Sequence, residues 1–111
     1  MALPELTDSG ELPLGVHQAP LQEVLDRFAT GDGQRIAVGE RLERIYQIAI
    51  STGHLARFVA YGSFITEKPQ PNDIDVFLVM DDEFEGDRLD GEHLLLFDHA
   101  AADAHFGASV F

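Results

Sequence analysis

Tyr61-Gly62-Ser63-Phe64, followed after a loop by Asn72-Asp73-Ile74-Asp75-Val76, decides how this chain folds. Arg57 to Tyr61 is a short apolar, aromatic and β-branched run, which reads as a strand leading into a turn. Gly62 has no side chain, so the backbone can bend sharply there and a phosphate can approach its amides. Ser63 adds a hydroxyl able to bond a phosphate oxygen. Lys68-Pro69-Gln70-Pro71-Asn72 is loop, because each proline fixes its own φ and biases its predecessor away from helix. A second strand is therefore expected from near Asp73 to Met80. Side chains alternate along a strand, so Asp73 and Asp75 project the same way, about 6.6 Å apart. Carboxylates that close repel one another unless a cation lies between them. Mg²⁺ or Mn²⁺ suits the pair, since a hard cation takes oxygen ligands and keeps substrate phosphate in its shell.

Either half alone is ordinary structure. Asp-x-Asp can solvate a strand end or guard it against edge pairing, and Gly-Ser is a common turn. Joined as strand, Gly-Ser, loop, Asp-x-Asp, strand, they favour a site.

The rest of the chain reads as scaffold. Met1 to Val16 holds Pro4, Gly10, Pro13 and Gly15 and is expected to be an extended arm with ordered contacts only toward its end, leaving a single domain over 17–111. Pro20 suits the first turn of a helix carrying Leu21, Val24, Leu25 and Phe28 on one face, ended by Gly31-Asp32-Gly33. A longer helix is expected from about Gln34 to Ser51, with Val38, Leu42, Ile45 and Ala49 inside and Arg41, Glu43 and Arg44 outside. Gly53 closes it. The order helix, helix, strand, turn, strand, helix, strand predicts an α/β (α+β) fold, a mixed sheet with helices packed on it.

The chain has 111 residues, enough for one domain with a real core. Its 7 basic and 20 acidic residues give a formal charge of −13. Nucleic-acid binding draws most of its affinity from cations that neutralise phosphates, so a long RNA or DNA substrate is disfavoured. A nucleotide held through a metal, a basic protein or a cationic small molecule remains compatible. The absence of cysteine excludes disulfides, thiolate zinc sites and cysteine nucleophiles. No apolar run reaches membrane-spanning length and Met1 to Glu11 carries no basic-then-apolar signal, so a cytoplasmic protein is expected.

The stretch Tyr61 to Val79 resembles the signature of the polymerase-β-like nucleotidyltransferase superfamily, a Gly-Ser turn followed by Asp-x-Asp between hydrophobic residues. From Leu12 onward the chain is similar to a bacterial family of small, uncharacterised proteins in that superfamily. The resemblance implies that Gly62 and Ser63 hold the phosphates of a nucleoside triphosphate, most simply ATP, and that Asp73 and Asp75 bind the catalytic metals. Lys68 stands in the loop where a cation either pairs with the triphosphate or faces solvent. Such enzymes usually add a third carboxylate from a later strand. Here that strand is expected within Phe106 to Phe111, and the acidic position carries Ser109. Serine can neither act as a general base near neutral pH nor supply the charge. Asp98 and Asp103, the other nearby acids, fall in an expected helix.

Two functions follow as expectations. One is a minimal nucleotidyltransferase that moves a nucleoside monophosphate to a hydroxyl acceptor. The other is a catalytically reduced binding module of the same fold, regulatory or antitoxin-like toward a protein partner, since many small members of the superfamily are encoded beside a toxin. The closing segment Ala108 to Phe111 would leave a bare strand edge, which implies a shortened chain, a partner or a homo-oligomer.

Two patterns read as scaffold. Asp81, Glu83, Glu85, Gly86 and Glu92 imitate calcium-loop spacing, but Arg88 stands where an apolar residue belongs and a strand precedes the loop. His17, His54, His93, His99 and His105 include no pair at the four-residue spacing of a zinc-binding helix, so they are expected to be structural or solvent-facing.

Overall fold

Val38, Leu42, Ile45 and Ala49 recur at helical spacing, and all four are buried along α2 (Gly33–Ser51). Asp32 starts this helix, its carboxylate accepting the Gln34 amide at 2.7 Å. The Gly31-Asp32-Gly33 stretch expected to end the first helix thus opens the second, while α1 (Leu21–Phe28) has already ended at Ala29. Phe28 of α1 is buried, and Leu21, Val24 and Leu25 pack around the core beside it. Gly39 lets the end of α1 approach α2, because a Cβ there would run into the Ala29 side chain.

The computed structural model describes residues 3–69, 71, 74–85, 89, 91–106 and 108–111, with the backbone alone for His99 and Ser109. Asp73, Gly86 and Arg88 lie outside the described residues.

The architecture is mixed α+β. β1 (Leu55–Tyr61) and β2 (Ile74–Met80) pair antiparallel, and β3 (Ala108–Val110) joins β2 in parallel, giving the order β1-β2-β3. The single helix expected before the last strand is two, α3 (Gly91–Leu96) and α4 (His99–Phe106). Asp98 divides them: its carboxylate accepts the Ala101 amide at 3.0 Å and its carbonyl the Ala102 amide at 2.8 Å. A short acidic side chain that satisfies a helix's first amides starts a new helix better than it continues an old one. Asp98 is therefore a cap, and Asp103 is exposed on α4.

Burial alternates along the sheet. Ile74, Val76, Ala108 and Val110 are buried against the helices, while Phe77 and Val79 are exposed on the other face.

The arm reverses its expectation. Leu3, Leu6 and Leu12 pack on the core, the Leu3 amide bonds the Glu23 carboxylate at 3.1 Å, and the Gly10 carbonyl accepts the Glu67 amide at 2.9 Å. Leu14 and Val16, near its end, are exposed. The three leucines supply the burial that holds the early segment down, against the pull of its prolines and glycines. Among the described residues, no helix is long and apolar enough to cross a membrane.

Candidate functional site at the Gly62 turn

β1 ends at Tyr61, which pairs with Asp75 of β2, so the turn and the carboxylate are neighbours by register. Gly62 has φ 87° and ψ −163°, a conformation that L side chains rarely adopt. Space demands glycine as well: a Cβ at this position would collide with Asp75 Oδ2. The half-buried Asp75 carboxylate therefore lies directly against the turn's backbone, with no side chain between them.

Beyond the turn the chain makes a 3-10 helix, Ser63–Ile65, whose Phe64 is fully buried with its ring 6.2 Å from that of Phe28. The Ser63 carbonyl accepts from Thr66 twice, from the amide at 3.2 Å and the hydroxyl at 2.7 Å. Arg35 holds this loop from α2. Its Nη1 donates to the carbonyls of Phe28 at 3.2 Å and Phe64 at 2.8 Å, and its Nη2 to those of Thr66 at 2.5 Å and Lys68 at 2.7 Å. Sequence reasoning missed Arg35. The available signal was a cation in the first turn of a helix, where the dipole disfavours positive charge and a compensating tertiary partner is needed.

Lys68 is exposed, with its amide on the Thr66 hydroxyl at 3.1 Å. It lines a groove of about 1180 Å³ between the arm and β1, together with Tyr46, Tyr61, Gly62 and Ser63. Asp75 is not in that lining, since its carboxylate lies on the sheet face; groove and carboxylate meet at the turn.

β3 sets the opposite neighbour of Asp75, because the parallel register pairs Asp75 with Ser109. The position where sequence comparison expected a third acid is thus beside Asp75 and carries serine. Asp98 and Asp103 do not replace it, one being a cap and the other exposed on α4. Among the described residues, no group of three or more His, Asp or Glu side chains gathers as a metal centre. Mg²⁺ is commonly held by one or two carboxylates with water and substrate phosphate completing its shell, so Asp75 beside an open turn fits that ion when a polyphosphate is also present.

Two histidines, His54 and His105, meet acids of the calcium-like set. Asp81 accepts from His54 Nδ1 at 3.0 Å and from the Glu83 amide at 3.0 Å. Glu92 joins Arg44 of α2 to His105 of α4, and the Arg44 hydrogen bond, then that of His105, holds its carboxyl below the usual range. His93 bonds the Ser51 hydroxyl and His17 the Pro13 carbonyl, each at 2.7 Å.

A model described as "Family of unknown function (DUF6932)" matches residues 4–111. No curated protein matches the chain, and no solved structure matches it.

Proposed function

The chain belongs to the DUF6932 family, and we propose that it is a nucleotidyltransferase-like protein that binds a metal-bound nucleoside triphosphate at the Gly62 turn. The observation that carries this reading is the contact between the Gly62 backbone and the Asp75 carboxylate, which a single methyl group would block. Phosphate oxygens take the amides of Gly62 and Ser63 and the Ser63 hydroxyl, as donors aimed at accumulating negative charge. Arg35 fixes the loop that carries Lys68 toward the groove. Asp75 holds the ion, joined by Asp73 on the strength of the sequence spacing. A bound Mg²⁺ or Mn²⁺ supplies positive charge to the polyphosphate oxygens. In the transfer, an acceptor hydroxyl oxygen bonds to the α-phosphorus, the bond to the α–β bridging oxygen breaks, pyrophosphate leaves, and the hydroxyl proton passes to water.

The pairing of Asp75 with Ser109 favours a second reading. With serine there, no carboxylate from β3 takes the acceptor's proton, and the protein becomes a nucleotide-binding module of reduced turnover that regulates a partner.

Incubation with α-labelled ATP, Mg²⁺ or Mn²⁺ and a bacterial lysate, beside Asp75→Asn, separates the readings. Label transfer by the parent alone supports the enzyme. Metal-dependent ATP binding without transfer supports the module, and the absence of both removes the site.

A further inference from the structure

The side of the sheet turned away from the helices is apolar where water would favour polar residues. Sheets left open on one side usually alternate apolar inside with polar outside. Here the outward row across the strands is Val59, its register partner Phe77, and Phe111, whose amide and carbonyl bond Val76 and Leu78 at 2.9 and 2.8 Å. Tyr61 and Val79 extend the row along the strands. Exposure reaches 39% for Tyr61, 47% for Phe77, 37% for Val79 and 58% for Phe111, so no described helix covers this face, and the arm borders it only at β1, where Leu14 and Val16 line the groove with Val59 and Tyr61.

Both ends of the apolar stripe are acidic. Along β2 the outward positions run Asp75, Phe77, Val79, and the strand then enters the exposed Asp81, Asp82, Glu83 and Glu85. Among the described strand residues Arg57 is the one cation, too little positive charge for a polyphosphate chain.

From this face we infer a docking surface for a basic amphipathic helix of a partner protein, apolar along its contact side with Lys or Arg at both ends. The dimensions fit one helix. The outer strands lie about 10 Å apart, close to the roughly 10–12 Å diameter of a helix with its side chains. The seven residues of β2 extend about 23 Å at the usual strand rise, the length of about 15 helical residues. A second copy fits worse: the patch is roughly 200 Å² in plan from the same spacings, against about 800 Å² per partner in a standard interface, and each copy carries −13. Asp75 belongs both to the proposed metal site and to this surface, so the peptide is titrated without metal or nucleotide.

The test uses a synthetic 15-residue peptide with leucines on one helical face, lysines at both ends and one tryptophan reporter, which the chain itself lacks. Phe77→Asp, checked for folding by circular dichroism, adds negative charge, so plain charge attraction would tighten binding. The expected result is instead a loss of at least about tenfold, as for an interface anchor, reproduced by Val79→Ser should Phe77→Asp fail to fold. Asp82→Asn with Glu83→Gln is expected to flatten the salt dependence. The inference is overturned by no binding to the parent, by unchanged affinity in the Phe77 and Val79 variants, by equal binding of a Leu→Ser peptide, or by light scattering that shows a parent dimer dissolved by Phe77→Asp.

Discussion

On one side of β2, Ile74 and Val76 are fully buried beneath the helices; one residue along, Asp75, Phe77 and Val79 turn to the side that no described helix covers. The same seven residues thus meet two environments. On the packed side each residue is explained by the core it fills. On the open side neither an exposed phenylalanine nor a carboxylate pressed on a glycine fills the core, and both the proposed nucleotide site and the proposed docking surface use residues of that side.

The largest effect should come from breaking the packed side. Ile74→Ala is expected to cost about 2–5 kcal/mol, whereas Phe77→Ala, one face over, should stay within about 0.5 kcal/mol; urea unfolding of the two variants measures the contrast. Arg35→Met comes next. It removes four charge-assisted bonds to loop carbonyls, and a loss of about 1.5–3 kcal/mol is expected, with faster amide exchange confined to the loop after Ser63. Gly62→Ala combines the strained φ with the Asp75 collision, for about 1–3 kcal/mol, and it should remove metal-dependent ATP binding while the helical circular dichroism persists. Glu92→Gln should be smallest, since the ion pair is exposed. Arg44 and His105 hold the Glu92 carboxyl below its ordinary 4.5. Its contribution is therefore present above that pH and disappears as pH falls through the folded-state value. Parent and variant melting temperatures should differ near neutrality and converge in acid.

The helices were legible because their information is periodic: Val38, Leu42, Ile45 and Ala49 name one face of α2 without help. The turn and second strand were legible because glycine and the flanking prolines leave the backbone few choices. Strand alternation put Asp75 on one face with Asp73, but its contact with Gly62 depends on the antiparallel register that pairs it with Tyr61, which no local pattern states. Arg35 did not, since its four acceptors are backbone carbonyls far along the chain that no side-chain pattern announces. The break at Asp98 was hidden because an acid in an apolar stretch reads equally as helix surface or as cap. The arm misled because proline and glycine content describes only the backbone's freedom, whereas Leu3, Leu6 and Leu12 decide attachment.

We propose Asp75 and the Gly62 turn as one site for a metal-bound polyphosphate. Titrating ¹⁵N-labelled protein with Mn²⁺ and ATP tests it most directly, because the ion broadens only the amides close to it. Nucleotide-dependent broadening is expected at Gly62, Ser63 and Asp75, and is expected to vanish in Asp75→Asn. Broadening centred on the acidic stretch Asp81 to Glu85, or unchanged by that substitution, would contradict it.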